Sequence, residues 1–180
     1  MSWWILGIGV AILVAAVAVL PAVLASHDSG VTDATNFDIP ALEGDVPIAA
    51  DARVKLIDYA GKPLVLNFFA SWCTSCEAEL PRFRTLAVDH EDELEVVFVN
   101  TNETGDWKPM ARRTGIMDQP LAKDINGSNG NGLYRSLGGT GGMPMTAYFD
   151  ELGILVHVDR GELTSEVLRS RMQQLFGLLV

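Results

Sequence analysis

Basic residues are scarce in this chain, and cysteine and histidine scarcer still. There are 13 Lys and Arg against 23 Asp and Glu, a formal net charge of -10. Such a surface repels phosphate backbones, which leaves nucleic-acid binding without support. The acidic residues are dispersed rather than gathered in a tail, the pattern of a solvated surface. With two cysteines in 180 residues the chain is no disulfide-dense secreted scaffold, and its 48% apolar content can build a core without covalent staples. His27, His90 and His157 are scattered, and no second CxxC accompanies the cysteines. A closed zinc site is therefore not expected, nor any other cofactor. The length suits one domain and is short for two.

Cys73 and Cys76 stand three positions apart. A disulfide closing so small a loop removes little entropy from the unfolded chain, so chemistry explains the pair better than stapling. The flanking pattern supports this. Leu64-Val65-Leu66-Asn67-Phe68-Phe69 follows the turn signal Gly61-Lys62-Pro63 and suits a strand buried on both faces. After the cysteines, a helical stretch to about Val88 sets Leu80, Phe83, Leu86 and Ala87 on one face. Leu94 to Asn100 is a second buried strand, and strand, helix and strand make a right-handed βαβ unit. Asp106 caps a short helix to Thr114. Met145–Phe149 and Ile154–Val158 form a hairpin across Asp150-Glu151-Leu152-Gly153. A final helix starts at the cap Thr164, with Val167, Leu168, Met172, Leu175 and Phe176 as its apolar stripe. This α/β arrangement is the skeleton of a thioredoxin fold, with extra strands expected from residues 37 to 60. The Asn- and Gly-rich segment from Asn126 to Gly142 is expected to be a mobile loop opposite the cysteines. Asp124 to Gly130 has the beginnings of a calcium loop, but Asn129 and Arg135 stand where Gly and Glu are needed.

The strand-to-helix junction gives the two cysteines different work. Unpaired N–H groups and the positive helix end favour a thiolate at Cys73. Cys76, one turn on, is placed to resolve a mixed disulfide. Cys73 is expected to be the solvent-accessible member and Cys76 the shielded one. Glu79, three residues further, lies near the same face, where a partly buried carboxyl would have a raised pKa and could move protons for the thiols.

Nothing charged stands between Trp3 and Leu24, and only Pro21 interrupts that apolar run. As a helix it would be about 33 Å long, enough to span a hydrocarbon core. Two readings stay open for residues 1–25. An uncleaved anchor explains the length of the run; a cleaved signal peptide explains the small residues before Ser26. Asp28, Asp33 and Asp38 follow, and no Lys or Arg appears before Arg53. That asymmetry places the domain outside the cytoplasm. Residues 26–36 form a flexible tether, and 37–180 the domain.

The run Asn67-Phe68-Phe69-Ala70-Ser71-Trp72-Cys73-Thr74-Ser75-Cys76-Glu77-Ala78-Glu79-Leu80-Pro81 resembles the WCxxCxxExP block of TlpA/ResA-type thioredoxin-like proteins. Gly142-Met143-Pro144-Met145-Thr146 is similar to that family's cis-proline loop, and Gly161-Glu162-Leu163-Thr164 to its C-terminal element. The resemblance covers about residues 37 to 180. It implies an extracytoplasmic reductase of protein disulfides, often serving cytochrome c maturation and re-reduced by a membrane electron donor. Trp72, Met143 and Pro144 would then contact substrate, with the Met143 backbone pairing a substrate strand. Thioredoxin carries a buried Asp where this chain has Asn67, and the resemblance implies that Glu79 takes over that acid's role. Ser75 departs from the Pro common before the second Cys, which leaves redox direction open. The alternatives are an oxidase or isomerase, or a binding module that keeps the fold without catalysis.

Overall fold

The computed structural model describes residues 36–125 and 132–180, all within a unit running from Thr32 to Val180. The N-terminal apolar run, most of the tether and residues 126–131 lie outside the described residues. No helix among the described residues is long and apolar enough to cross a membrane.

The two buried runs become β3 (Leu64–Phe69) and β4 (Glu95–Asn100), joined through α1 (Thr74–Asp89). They pair in parallel, Leu64 opposite Glu95 through Phe69 opposite Asn100. Short β1 (Asp38–Pro40) and β2 (Arg53–Lys55) precede them, and α2 (Lys108–Thr114) and β5 (Leu121–Lys123) follow. The chain ends with α3 (Leu133–Ser136), β6 (Met145–Phe149), β7 (Leu155–Arg160) and α4 (Ser165–Phe176). The central sheet runs β5-β4-β3-β6-β7, with β6 antiparallel to both β3 and β7. The expected N-terminal strands do form, but as a separate antiparallel pair, β1 with β2.

β3 lies in the middle with all six residues buried. Alternation along it divides the core in two. Val65 and Phe69 pack with Leu80, Phe83 and Leu86 of α1 and with Leu168 and Met172 of α4. Leu64, Leu66 and Phe68 pack on the other side with Phe37, Leu133 and Tyr134. The same alternation turns Asn67 toward α1. This is how a polar strand residue comes to meet a helix carboxylate.

Three expectations need correction. Asp106 accepts a bond from the Lys108 N–H (3.0 Å), yet Trp107 is the residue at the helix boundary, so the helix starts later than the Asp suggested. Val167 is not part of the α4 stripe: it is 44% exposed, while Leu168 and Met172 carry the buried face. The Asn/Gly-rich stretch is not loose from residue 132 onward. Tyr134 donates to the Gly142 carbonyl (2.6 Å) and accepts from the Gly141 N–H (2.9 Å). Gly139 lies flat on its ring, and a Cβ there would fall 2.4 Å from a ring carbon. Glycine serves here for close packing.

Candidate active site

β3 ends at Phe69, and the chain turns through Ala70-Ser71-Trp72 into α1. The turn closes when the Cys73 N–H donates to the Ala70 carbonyl (3.0 Å). Cys73 is the N-cap of α1, and its sulfur accepts from the Cys76 N–H at 3.1 Å. A donor held on that sulfur by the helix itself stabilises a thiolate there. Cys73 and Cys76 are joined as a disulfide, with Cα atoms 5.2 Å apart. Cys76 is fully covered, and only 5% of Cys73 reaches the surface. The asymmetry has the expected sense, but Cys73 is less accessible than the sequence suggested, because its sulfur is tied inward to Cys76.

Glu79 is wholly buried one turn below Cys76. Its Oε1 accepts from Asn67 Nδ2 (2.7 Å) and its Oε2 from the Leu163 N–H (2.8 Å). Burial pushes its pKa up to about 7, although the bonds from Leu163 and Asn67 pull the other way. A carboxyl with that pKa changes charge near neutrality. Asn67 Nδ2 also donates to Thr146 Oγ1 (3.2 Å), so β3, α1 and β6 meet at one buried polar junction. Glu77, by contrast, pairs at the surface with Arg113 (2.6 Å), whose hydrogen bond holds its carboxyl below the usual range. The helix continues through Pro81 to Asp89 without a break.

The Met143–Pro144 peptide bond is cis, and the Pro144 carbonyl accepts from the Gly161 N–H (2.9 Å). Met143 is half-buried against the cluster that contains both cysteines. Trp72 lies next to Cys73, 48% exposed, with its indole N–H donating to the Asn102 carbonyl (2.9 Å). The structure thus gathers Cys73, Cys76, Glu79 and Met143 around one end of α1, with Trp72 beside them. Two carboxylates of consequence escaped the sequence reading. Glu103 accepts from the Ser71 N–H (2.9 Å), just before the cysteines. Asp124 accepts from the N–H groups of Leu133 (3.0 Å) and Tyr134 (2.9 Å) and from Thr101 Oγ1 (3.0 Å). Both serve donors distant in sequence or on the backbone, so no local motif marks them.

Residues 32–158 match the model of the AhpC/TSA family. The chain belongs to the AhpC/TSA family. The chain is 29% identical over 145 residues to the thiol-disulfide oxidoreductase ResA of Bacillus thuringiensis (strain Al Hakam), covering 79% of this chain and 76% of that one. It is 28% identical over 144 residues to the thiol:disulfide interchange protein DsbE of Pseudomonas aeruginosa, covering 80% and 73%. The exposed lipoprotein thioredoxin Etrx1 of Streptococcus pneumoniae shares the fold, with a TM-score of 0.61 at 24% identity over 78% of this chain and 99% of that one. This AhpC/TSA member is a thiol-disulfide oxidoreductase of the ResA/DsbE type with a thioredoxin fold.

Proposed function

We propose that this protein reduces disulfides in exported proteins outside the cytoplasm, apocytochrome c among the candidate substrates. The observation that carries the reading is the Cys73–Cys76 disulfide at the head of α1 with a buried Glu79 of pKa about 7 one turn below it. The Cys73 thiolate attacks a substrate sulfur and displaces the other as a thiolate, leaving a mixed disulfide. Cys76 gives its proton to the Glu79 carboxylate and attacks the Cys73 sulfur. The second substrate thiolate leaves, and the Cys73–Cys76 disulfide retains the oxidised state. When a membrane electron donor re-reduces the pair, Glu79 returns the proton to Cys76. Trp72, Met143 and Pro144 form the face on which the substrate strand lies. Residues 1–25 anchor or export the chain, 26–36 tether it and 37–180 perform the exchange. The apolar run of the sequence and the acidic residues that follow it support that division and location.

Cys76→Ser is the direct test. With the resolving thiol gone, the mixed disulfide persists, and substrates run with the protein on a non-reducing gel. Cys73→Ser, lacking the nucleophile, captures nothing. Capture by Cys73→Ser and not by Cys76→Ser would reverse the two roles, and equal capture by both would erase the division between them. Direction is read separately by equilibration against glutathione. A reductase poises near thioredoxin's value of about -270 mV, whereas a potential near about -120 mV would make the protein an oxidase.

A further inference from the structure

We propose that Glu103 is a positioning residue for substrate docking: its carboxylate knots the loop after β4 to the Ser71–Trp72 turn and thereby fixes the Trp72 ring beside Cys73. Five donors converge on this one group. Oε1 accepts from Ser71 Oγ, the Thr104 N–H (2.9 Å) and the Gly105 N–H (2.8 Å). Oε2 accepts from the Ser71 N–H (2.9 Å) and Asn100 Nδ2 (2.8 Å). All five point donors at the carboxylate, so an amide in its place would set its own N–H groups against some of them.

The backbone between these bonds is shaped to one purpose. Asn102, at φ 51°, is the single non-glycine residue with positive φ among the described residues. That conformation is costly for most side chains and tolerated best by Asn and Asp. It presents the Asn102 carbonyl to the Trp72 indole N–H at 2.9 Å. Gly105 lets the loop lie directly on the turn, for a Cβ there would stand 3.1 Å from Ser71 Oγ. Burial drives the Glu103 carboxyl upward, but the bonds from Ser71, Asn100 and Gly105 more than reverse this, holding it below the usual range. It stays ionised at neutral pH.

What is held so firmly contributes nothing to the core. Trp72 belongs to neither buried cluster, and almost half of its surface is bare. A strained residue, a half-buried carboxylate with five donors and a close-packed glycine therefore maintain an exposed aromatic platform next to the attacking sulfur. Strain retained at such a place is a mark of function. The inference rests on the reading that Trp72 contacts substrate.

The test follows turnover of insulin disulfides with dithiothreitol as reductant. Glu103→Gln raises KM about tenfold, with kcat within about twofold, as loss of bonds to a charged group would. In a Trp72→Ala background, itself raised in KM, Glu103→Gln adds less than about twofold, because the ring through which it acts is gone. Equal effects in both backgrounds overturn the proposal. So does an unchanged KM in Glu103→Gln while Trp72→Ala raises it; in that case the docking reading survives. An unchanged KM in Trp72→Ala removes the docking reading and the proposal with it. Should Glu103→Gln not fold, Ser71→Ala removes only one hydroxyl, a side-chain donor to the Glu103 carboxylate, and leaves the Trp72 ring whole. A KM raised about threefold supports the proposal, and an unchanged one overturns it.

Discussion

Glu79→Gln slows reduction of a protein disulfide about a hundredfold at neutral pH, the contribution expected of a well-placed proton carrier. The limb of the pH–rate profile near 7 disappears with it, since the group that titrates there is gone. Glu77→Gln is the control, because that carboxylate lies at the surface paired with Arg113. Identical pH profiles for wild type and Glu79→Gln would show that the proton travels elsewhere. The same carboxyl makes stability depend on pH. Its folded pKa of about 7 lies above the unfolded value of 4.5, so between these values the folded chain binds the extra proton. The stabilisation is present below about pH 4.5 and lost as pH rises through about 7. It amounts to about 3 kcal/mol, since each tenfold gain in proton affinity on folding contributes about 1.4 kcal/mol. Chemical denaturation of wild type should give a midpoint falling from pH 5 to 8, with a flatter slope in Glu79→Gln.

The largest loss of stability is expected from Asp124→Ala. Asp124 is 5% exposed, and among the described residues its carboxylate alone serves the N–H groups of Leu133 and Tyr134 and the Thr101 hydroxyl. Removing it strands three buried donors at a cost of about 3 to 4 kcal/mol, which lowers Tm by about 10 °C. Asp124→Asn keeps one acceptor oxygen and should recover part of the loss. Thermal unfolding followed by circular dichroism checks both. A Tm within about 2 °C of wild type for Asp124→Ala would mean that the segment beginning at Leu133 is held by packing alone. Damage here should reach the active site, because Tyr134 holds Gly141 and Gly142 just ahead of Met143 and Pro144.

The skeleton was legible because its signals are periodic. The continuous runs of β3 and β4 and the stripe of α1 state burial directly, and the cysteines stand at the junction of β3 with α1. Glu79 was legible for a similar reason, its helical spacing from Cys76. The limits of β7 were not, since pairing shifts between Tyr148 and Phe149, and that irregularity moves the strand to Leu155–Arg160. β5 was not foreseen: three residues carry no period. Val167 misled because it stands one position, about 100° of helix rotation, from Leu168, which with Met172 holds the buried face. Glu103 and Asp124 resemble ordinary acidic loop residues. Their importance arises from backbone donors that converge only when distant segments have folded.

The small β1–β2 pair has a consequence for life at high concentration. β5 ends the central sheet and would offer an unpaired row of backbone groups, a template for fibrous growth between molecules. The chain following β1 occupies that row itself: Ala41 bridges Ala122, Leu42 N–H donates to the Leu121 carbonyl (2.8 Å), and Asp45 N–H to the Met117 carbonyl (2.7 Å). At the opposite margin, β7 carries Asp159 and Arg160, charges that resist burial beneath a neighbour. Among the described residues, one margin of the central sheet is thus covered by the chain's own backbone and the other is guarded by charge.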